Sequence, residues 1–345
     1  MTLLAACSSS GSSNTGPTPS PAASPQSGPL AGSYGILFKP GNLLVVRPNG
    51  TVAATVDLAP PSTHYCSQQR DVVVAPPPVS ASDDAVYFRD GDTKIRVVVP
   101  PDGATDVTTV PGGANVISFF SVSPDDQKIA VLVEDVSSGT AISLHLYVED
   151  LRGGGHHAEI YNNLVPKDAR GTTLWPMGWH QGRLVLAVWP ACAFEPIPSP
   201  NSWHVMDAST GNQLASIGDA SCIPSAWPSP AGVACFDSSP PGHVRVYDWT
   251  GKLGATLQTD TVATEMSLSG GHLAVGNGGQ GNPSPSTTMF GIEGSGVVTT
   301  PGHIACLWID ESNLLAPDAV IAYPSGTATV LAQTGQCAGR FPGGL

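Results

Sequence analysis

Charge is scarce in this 345-residue sequence: Asp, Glu, Lys and Arg make up only 12 % of it, and 14 basic residues face 27 acidic ones for a net charge of −13. Nucleic-acid binding needs Lys and Arg gathered against phosphates, so the composition excludes that class of partner. No run of about 18 apolar residues exists, which excludes a transmembrane helix. Nor does any segment carry the 3.6-residue apolar period of an amphipathic helix, which excludes a helical bundle. The motifs CxxC, HExxH and GxSxG are all missing, and no Cys/His spacing fits a zinc site. No cofactor is therefore indicated. What the chain has in quantity is Gly (39) and Pro (33), together about a fifth of its residues. That share is high for a folded protein but short of a disordered one, and the length admits one large all-β domain or two ordinary ones.

The first thirty residues read as an address. Leu4-Ala5-Ala6-Cys7 resembles a bacterial lipobox, whose cysteine thiol receives a diacylglycerol. Residues 1–7 are then expected to be the remnant of a truncated lipoprotein signal peptide, with Cys7 the lipid attachment site. Ser8 to Ser33 hold nine Ser, five Pro, four Gly and no charge. Such a segment cannot bury enough apolar surface to order itself and is expected to be a disordered tether. The two features together predict a protein held on the outer face of the bacterial cytoplasmic membrane, its partners being the membrane through Cys7 and an unknown protein, glycan or small ligand. Two acyl chains suffice for stable anchoring. Six further cysteines, Cys66, Cys192, Cys222, Cys235, Cys306 and Cys337, form an even set suited to disulfides in an oxidising compartment.

From Tyr34 onward one unit recurs. Val122-Ser-Pro-Asp-Asp-Gln-Lys-Ile-Ala-Val-Leu-Val133 is a strand, a tight polar turn and a buried strand. It returns around Trp179, Trp227, Ser80, Ser269 and Trp308, each copy leading into a third strand, a turn and a fourth strand. Four strands in about 40 to 57 residues is the period of propeller blades. The Val122–Val131 core and the Tyr147–Gly153 turn resemble the TolB-like, WD40-like repeats of bacterial exported proteins. The resemblance implies an all-β fold over 34–345: a seven-bladed propeller whose N- and C-terminal strands share one blade. Complete units are expected to begin near Asp71, Val116, Leu174, Cys222, Ala263 and Ile304, with Cys337–Phe341 closing the ring against Tyr34–Phe38. In that arrangement Cys66–Cys337 and Cys192–Cys222 are the expected pairs, and Cys235 and Cys306 remain as candidate buried thiols.

Candidate chemistry is sparse. Gly276-Asn-Gly278-Gly-Gln-Gly281 has the letters of a dinucleotide loop, but Asn282-Pro-Ser-Pro follows and cannot begin the helix such a loop requires. Five of the seven tryptophans fall between Trp175 and Trp227. Trp179, Trp227 and Trp308 share one repeat position and are expected to pack between blades. Trp175, Trp189 and Trp203, with Phe194 and Glu195 of the Pro-rich 190–202 loop, are the candidate ligand contacts. His156-His157 alternates across a strand and is expected to be solvated, and Asp83-Asp84, Asp90-Gly-Asp92 and Asp125-Asp126 read as turn formers. No catalytic or metal-ligating residue is assigned. The favoured reading is a lipid-anchored binding module. The alternative is a propeller enzyme (lyase, hydrolase or lactonase) using a metal in the central channel.

Overall fold

The computed structural model describes residues 32–66, 72–73, 75–99, 102–168, 170–193, 199–219, 221–237, 242–258, 265–278 and 284–345. Every regular element among them is a strand, and seven four-stranded antiparallel sheets follow one another along the chain. Blade 1 joins the two ends: Gln336–Phe341 is its innermost strand and pairs with Tyr34–Lys39, from Tyr34 opposite Phe341 to Phe38 opposite Gln336. Blades 2 to 7 occupy 79–109, 116–166, 172–217, 222–258, 265–301 and 307–330. Innermost strands touch from blade 1 to 2, 2 to 3, 3 to 4, 6 to 7 and 7 back to 1, and blade 5 is joined through second- and third-strand contacts. The expected seven-bladed ring with a shared closing blade is therefore the fold.

Burial explains which residues take which strand. Second strands lie between neighbours on both faces and read as unbroken apolar runs, such as Leu43–Val46, Ile129–Leu132 and Leu184–Val188. Fourth strands at the rim are mostly open, as in Thr105–Thr109 and Gln213–Ile217. The core consists of layers between blades rather than one central mass. Turns follow local chemistry: between paired His180 and Arg183, Gln181 (φ 49°) and Gly182 (φ 77°) make the two-residue, doubly positive-φ hairpin that suits strand twist.

Three expectations need correction. The second unit does not begin near Asp71: Val72–Val73 leaves the ring and pairs with Cys192–Ala193, and the innermost strand starts at Val79. The cysteines pair as Cys66–Cys192, Cys222–Cys235 and Cys306–Cys337, so neither Cys66–Cys337 nor Cys192–Cys222 forms, and Cys235 and Cys306 are not free thiols. The reason lies in that excursion, which carries Cys66 over blade 3 to the loop between the second and third strands of blade 4. Cys337 then meets Cys306, at the start of blade 7, so the closing strand is still locked to a neighbour. Trp227 does not share the burial of Trp179 and Trp308. Those two are buried and donate their indole N–H to the preceding blade's innermost strand, at Ser121 O and Glu265 O. Blade 5's innermost strand stops at Pro224, so Trp227 falls beyond it and stands half-buried. Trp249 fills in, donating to Ser229 O and meeting Trp203 edge-on at 6.1 Å.

Candidate functional site

Two places could do chemistry or recognition: the axial channel, and the face on which innermost strands begin. In the channel, small or apolar side chains from several blades face one another: Val79, Ser80, Met177, Ala338 and Trp227. They leave compartments of about 40, 60 and 30 Å³, and Trp227 borders all three. Each exceeds the roughly 15 Å³ of accessible space that one water needs, so each has room for a small species. Residues after the closing strand narrow the far end: Gly343 N donates to Ser82 O, Leu345 N donates to Trp179 O, and Arg340 donates to Pro342 O and Gly344 O. Gly343 passes so close to blade 2 that a Cβ there would lie 2.1 Å from Ala81 O.

Three charged groups line the channel. Arg89 is only 3 % exposed; its guanidinium donates to Ser118 O on the next blade, and its Nε–H has no partner. Burial lowers its pKa to about 10, so it stays cationic at neutral pH. Arg340 behaves alike, lowered to about 10 by burial. Glu265 accepts from the Trp227 backbone and is raised well above the usual carboxylate range by burial. Outside the channel, Glu134 is wholly buried between blades 3 and 4. Thr173 donates to one of its oxygens, the other has no partner, and burial pushes its pKa to about 8. Sequence reasoning passed over these groups. The available signal was a charge ending a buried second strand, in Val86-Tyr-Phe-Arg89 and Val131-Leu-Val-Glu134. Among the described residues, no group of three His, Cys, Asp or Glu is placed to hold a metal ion.

The opposite end of the ring, where innermost strands start, carries all three disulfides. It also carries exposed apolar side chains beside them: Tyr65 next to Cys66 (54 % exposed), Ile223 next to Cys222 (40 %) and Ile304 near Cys306 (37 %). The other large exposed apolar residues, Leu164, Leu214, Leu253, Val297 and Val330, lie in or beside rim strands.

The expected ligand contacts fare differently. Trp175, Trp189 and Trp203 are 3 %, 6 % and 0 % exposed, so these rings belong to the core and present no face to solvent. Trp175 stacks on Trp189 at 4.8 Å and lies 5.8 Å from Phe119 of blade 3. Strand alternation aims all three rings between blades, where aromatic area is most useful. Phe194, Glu195 and Cys7 lie outside the described residues. Gly276 and Gly278 serve packing: a Cβ would come within 2.5 and 2.2 Å of Ile304 side-chain atoms. His156 bonds Asp150 at 2.8 Å. His157 bonds Glu159 at 2.6 Å, and Glu159 also bonds His145, so this exposed group is a hydrogen-bonded cluster rather than a lone pair. Glu159 holds the His157 pKa above its ordinary value.

No family model matches the chain, and no curated protein matches it in sequence. Among solved structures, it is similar to an oligogalacturonate lyase in complex with manganese (11 % identity, TM-score 0.43, covering 74 % of this chain and 69 % of that one). TolB from Acinetobacter baumannii is similar at 13 % identity and TM-score 0.43, over 80 % of this chain and 65 % of that one. Dipeptidyl peptidase 4 from Porphyromonas gingivalis is similar at 12 % identity and TM-score 0.49, over 86 % of this chain but 49 % of that one.

Proposed function

We propose that this protein is an exported, lipid-anchored β-propeller that binds a protein or glycan on the face where its innermost strands begin. The observation that carries the reading is the coincidence on that face of three disulfides with exposed Tyr65, Ile223 and Ile304. Recognition surfaces gain affinity from apolar and aromatic anchors held on a rigid frame, because little conformational freedom is lost on binding. Disulfides supply that rigidity and persist only in oxidising compartments, which fits export. Channel compartments of 30 to 60 Å³ leave a larger ligand only the outer surface. Anchoring through Cys7 and a tether at 8–33 would place the propeller clear of the membrane while keeping it at the cell envelope.

Two measurements test the reading. Mass spectrometry of the protein from its native membranes should show a diacylglyceryl group on Cys7, and Cys7→Ser should release the protein from membranes. A photo-crosslinking residue placed at Tyr65 or Ile304 should capture a specific cell-envelope partner that the same probe at Leu253, on the rim, does not. Equal capture at both places would refute the assigned face, and an unmodified Cys7 would refute the anchor.

A further inference from the structure

The channel holds a buried positive charge in an acidic protein. The chain has 14 basic residues and a net charge of −13, yet two of its arginines, Arg89 and Arg340, line the channel. Neither forms an ion pair among the described residues, and what sets Arg89 apart is that it is also only 3 % exposed. The acid acting on Arg89 from a distance, Asp92, is committed elsewhere: it accepts from the Ser62 backbone and hydroxyl, both at 2.7 Å. The compartment that Arg89 borders has no carboxylate in its walls, whereas Glu265 and Arg340 together border the third. A buried guanidinium without a counter-charge, in a low-dielectric space, strongly favours an anion beside it.

The walls also offer hydrogen bonds. Arg89 borders the compartment of about 40 Å³, is 3 % exposed as a residue, and spends one guanidinium N–H on Ser118 O. Ser80, which borders both compartments, accepts from Val122 N at 2.9 Å and so keeps its own hydroxyl hydrogen to donate. Ser118 is spent: its hydroxyl donates to Pro111 O and its carbonyl accepts from Arg89. We propose that the channel binds a small monovalent anion, a halide or a one- to two-carbon carboxylate, held by the Arg89 guanidinium and the Ser80 hydroxyl. A compartment of about 40 Å³ has room for an anion of that size. The bound anion neutralises Arg89 where blades 1 to 5 face one another, so it acts as a structural counter-ion of the ring. This site is separate from the recognition face proposed above.

The experiment is thermal unfolding of the purified protein at constant ionic strength in sodium chloride, bromide, formate, acetate or gluconate, gluconate being too large to enter. The expected result is a saturable rise in Tm of several degrees with halide, formate or acetate relative to gluconate, by mass action on the native state. Response to halides alone, or to carboxylates alone, identifies which anion occupies the site. Arg89→Gln should abolish the difference and Ser80→Ala should weaken it. Because Arg89→Gln could prevent folding, crystals of the unaltered protein soaked in bromide provide a second readout, with an anomalous peak expected beside the Arg89 guanidinium in the channel. Identical Tm values in all five salts, or bromide peaks only on the outer surface, would overturn the proposal.

Discussion

Glu134 allows the sharpest test of how burial governs this protein. Its carboxyl lies between blades 3 and 4 on a strand flanked by Ile117 and Leu144, with Thr173 as its hydrogen-bond donor. Burial raises its pKa from 4.5 to about 8. Below pH 4.5 both native and unfolded chains hold this proton, and its full contribution to stability is present. Between 4.5 and 8 the unfolded chain loses the proton while the native chain keeps it, so stability falls by about 1.4 kcal/mol per pH unit. Across the whole window that is about 4 to 5 kcal/mol, a large share of a typical domain's stability. Glu134→Gln keeps the shape and an oxygen for Thr173 but cannot ionise. Urea unfolding of both proteins from pH 5 to pH 8 should show their stability difference shifting in favour of the variant by about 3 kcal/mol between pH 5 and pH 7. All other titrating groups are common to both proteins and cancel. A difference that stays constant with pH would refute the assignment of a buried, neutral carboxyl at this position.

The other predictions concern closure and packing. Replacing Cys306 and Cys337 by Ala releases the closing strand and a cross-link spanning 31 residues; the loop-entropy relation puts the cost near 4 kcal/mol. The Cys66–Cys192 link spans 126 residues, and its removal should cost about 5 kcal/mol by the same relation. Urea midpoints of the two double variants should therefore fall in that order. Gly232 has φ 137° and no room for a side chain, since a Cβ would lie 1.9 Å from Tyr247 O. Gly232→Ala should cost about 3 kcal/mol or prevent folding, read as a lowered Tm or insoluble expression. Trp308→Phe keeps most of the apolar area but loses the indole bond to Glu265 O, and should cost about 1 to 2 kcal/mol by urea titration. Trp227→Phe trims a half-buried ring at the edge of the core between blades 7 and 1 and should cost measurably less.

The repeat was legible because each blade is built from local rules. Alternation, β-branched runs and turn residues specify a hairpin wherever they occur, and Val116–Asp150 shows all three. The closing strand was equally readable: Tyr34–Lys39 begins a unit without an inner strand, and Gln336–Phe341 is a strand without a unit. The tryptophans show where reading stopped. Trp179, Trp227 and Trp308 occupy the same place in the repeat, but only the early end of blade 5's first strand separates Trp227 from the others. Likewise, Trp175, Trp189 and Trp203 read as ligand contacts beside a Pro-rich loop, while their rings are core.

The sequence by itself determined the all-β class, the blade count, the ring closure and the charge balance, since these depend on neighbours in the chain and on composition. Only the tertiary structure decided the cysteine partners, because the Cys66 excursion carries that residue across blade 3, and pairing follows distance in space. Only it placed Arg89 and Glu134 out of reach of water, and with them the groups whose chemistry departs from the ordinary. A side chain's pKa and its unmet hydrogen bonds depend on what distant segments pack against it, and no local pattern in the chain encodes that.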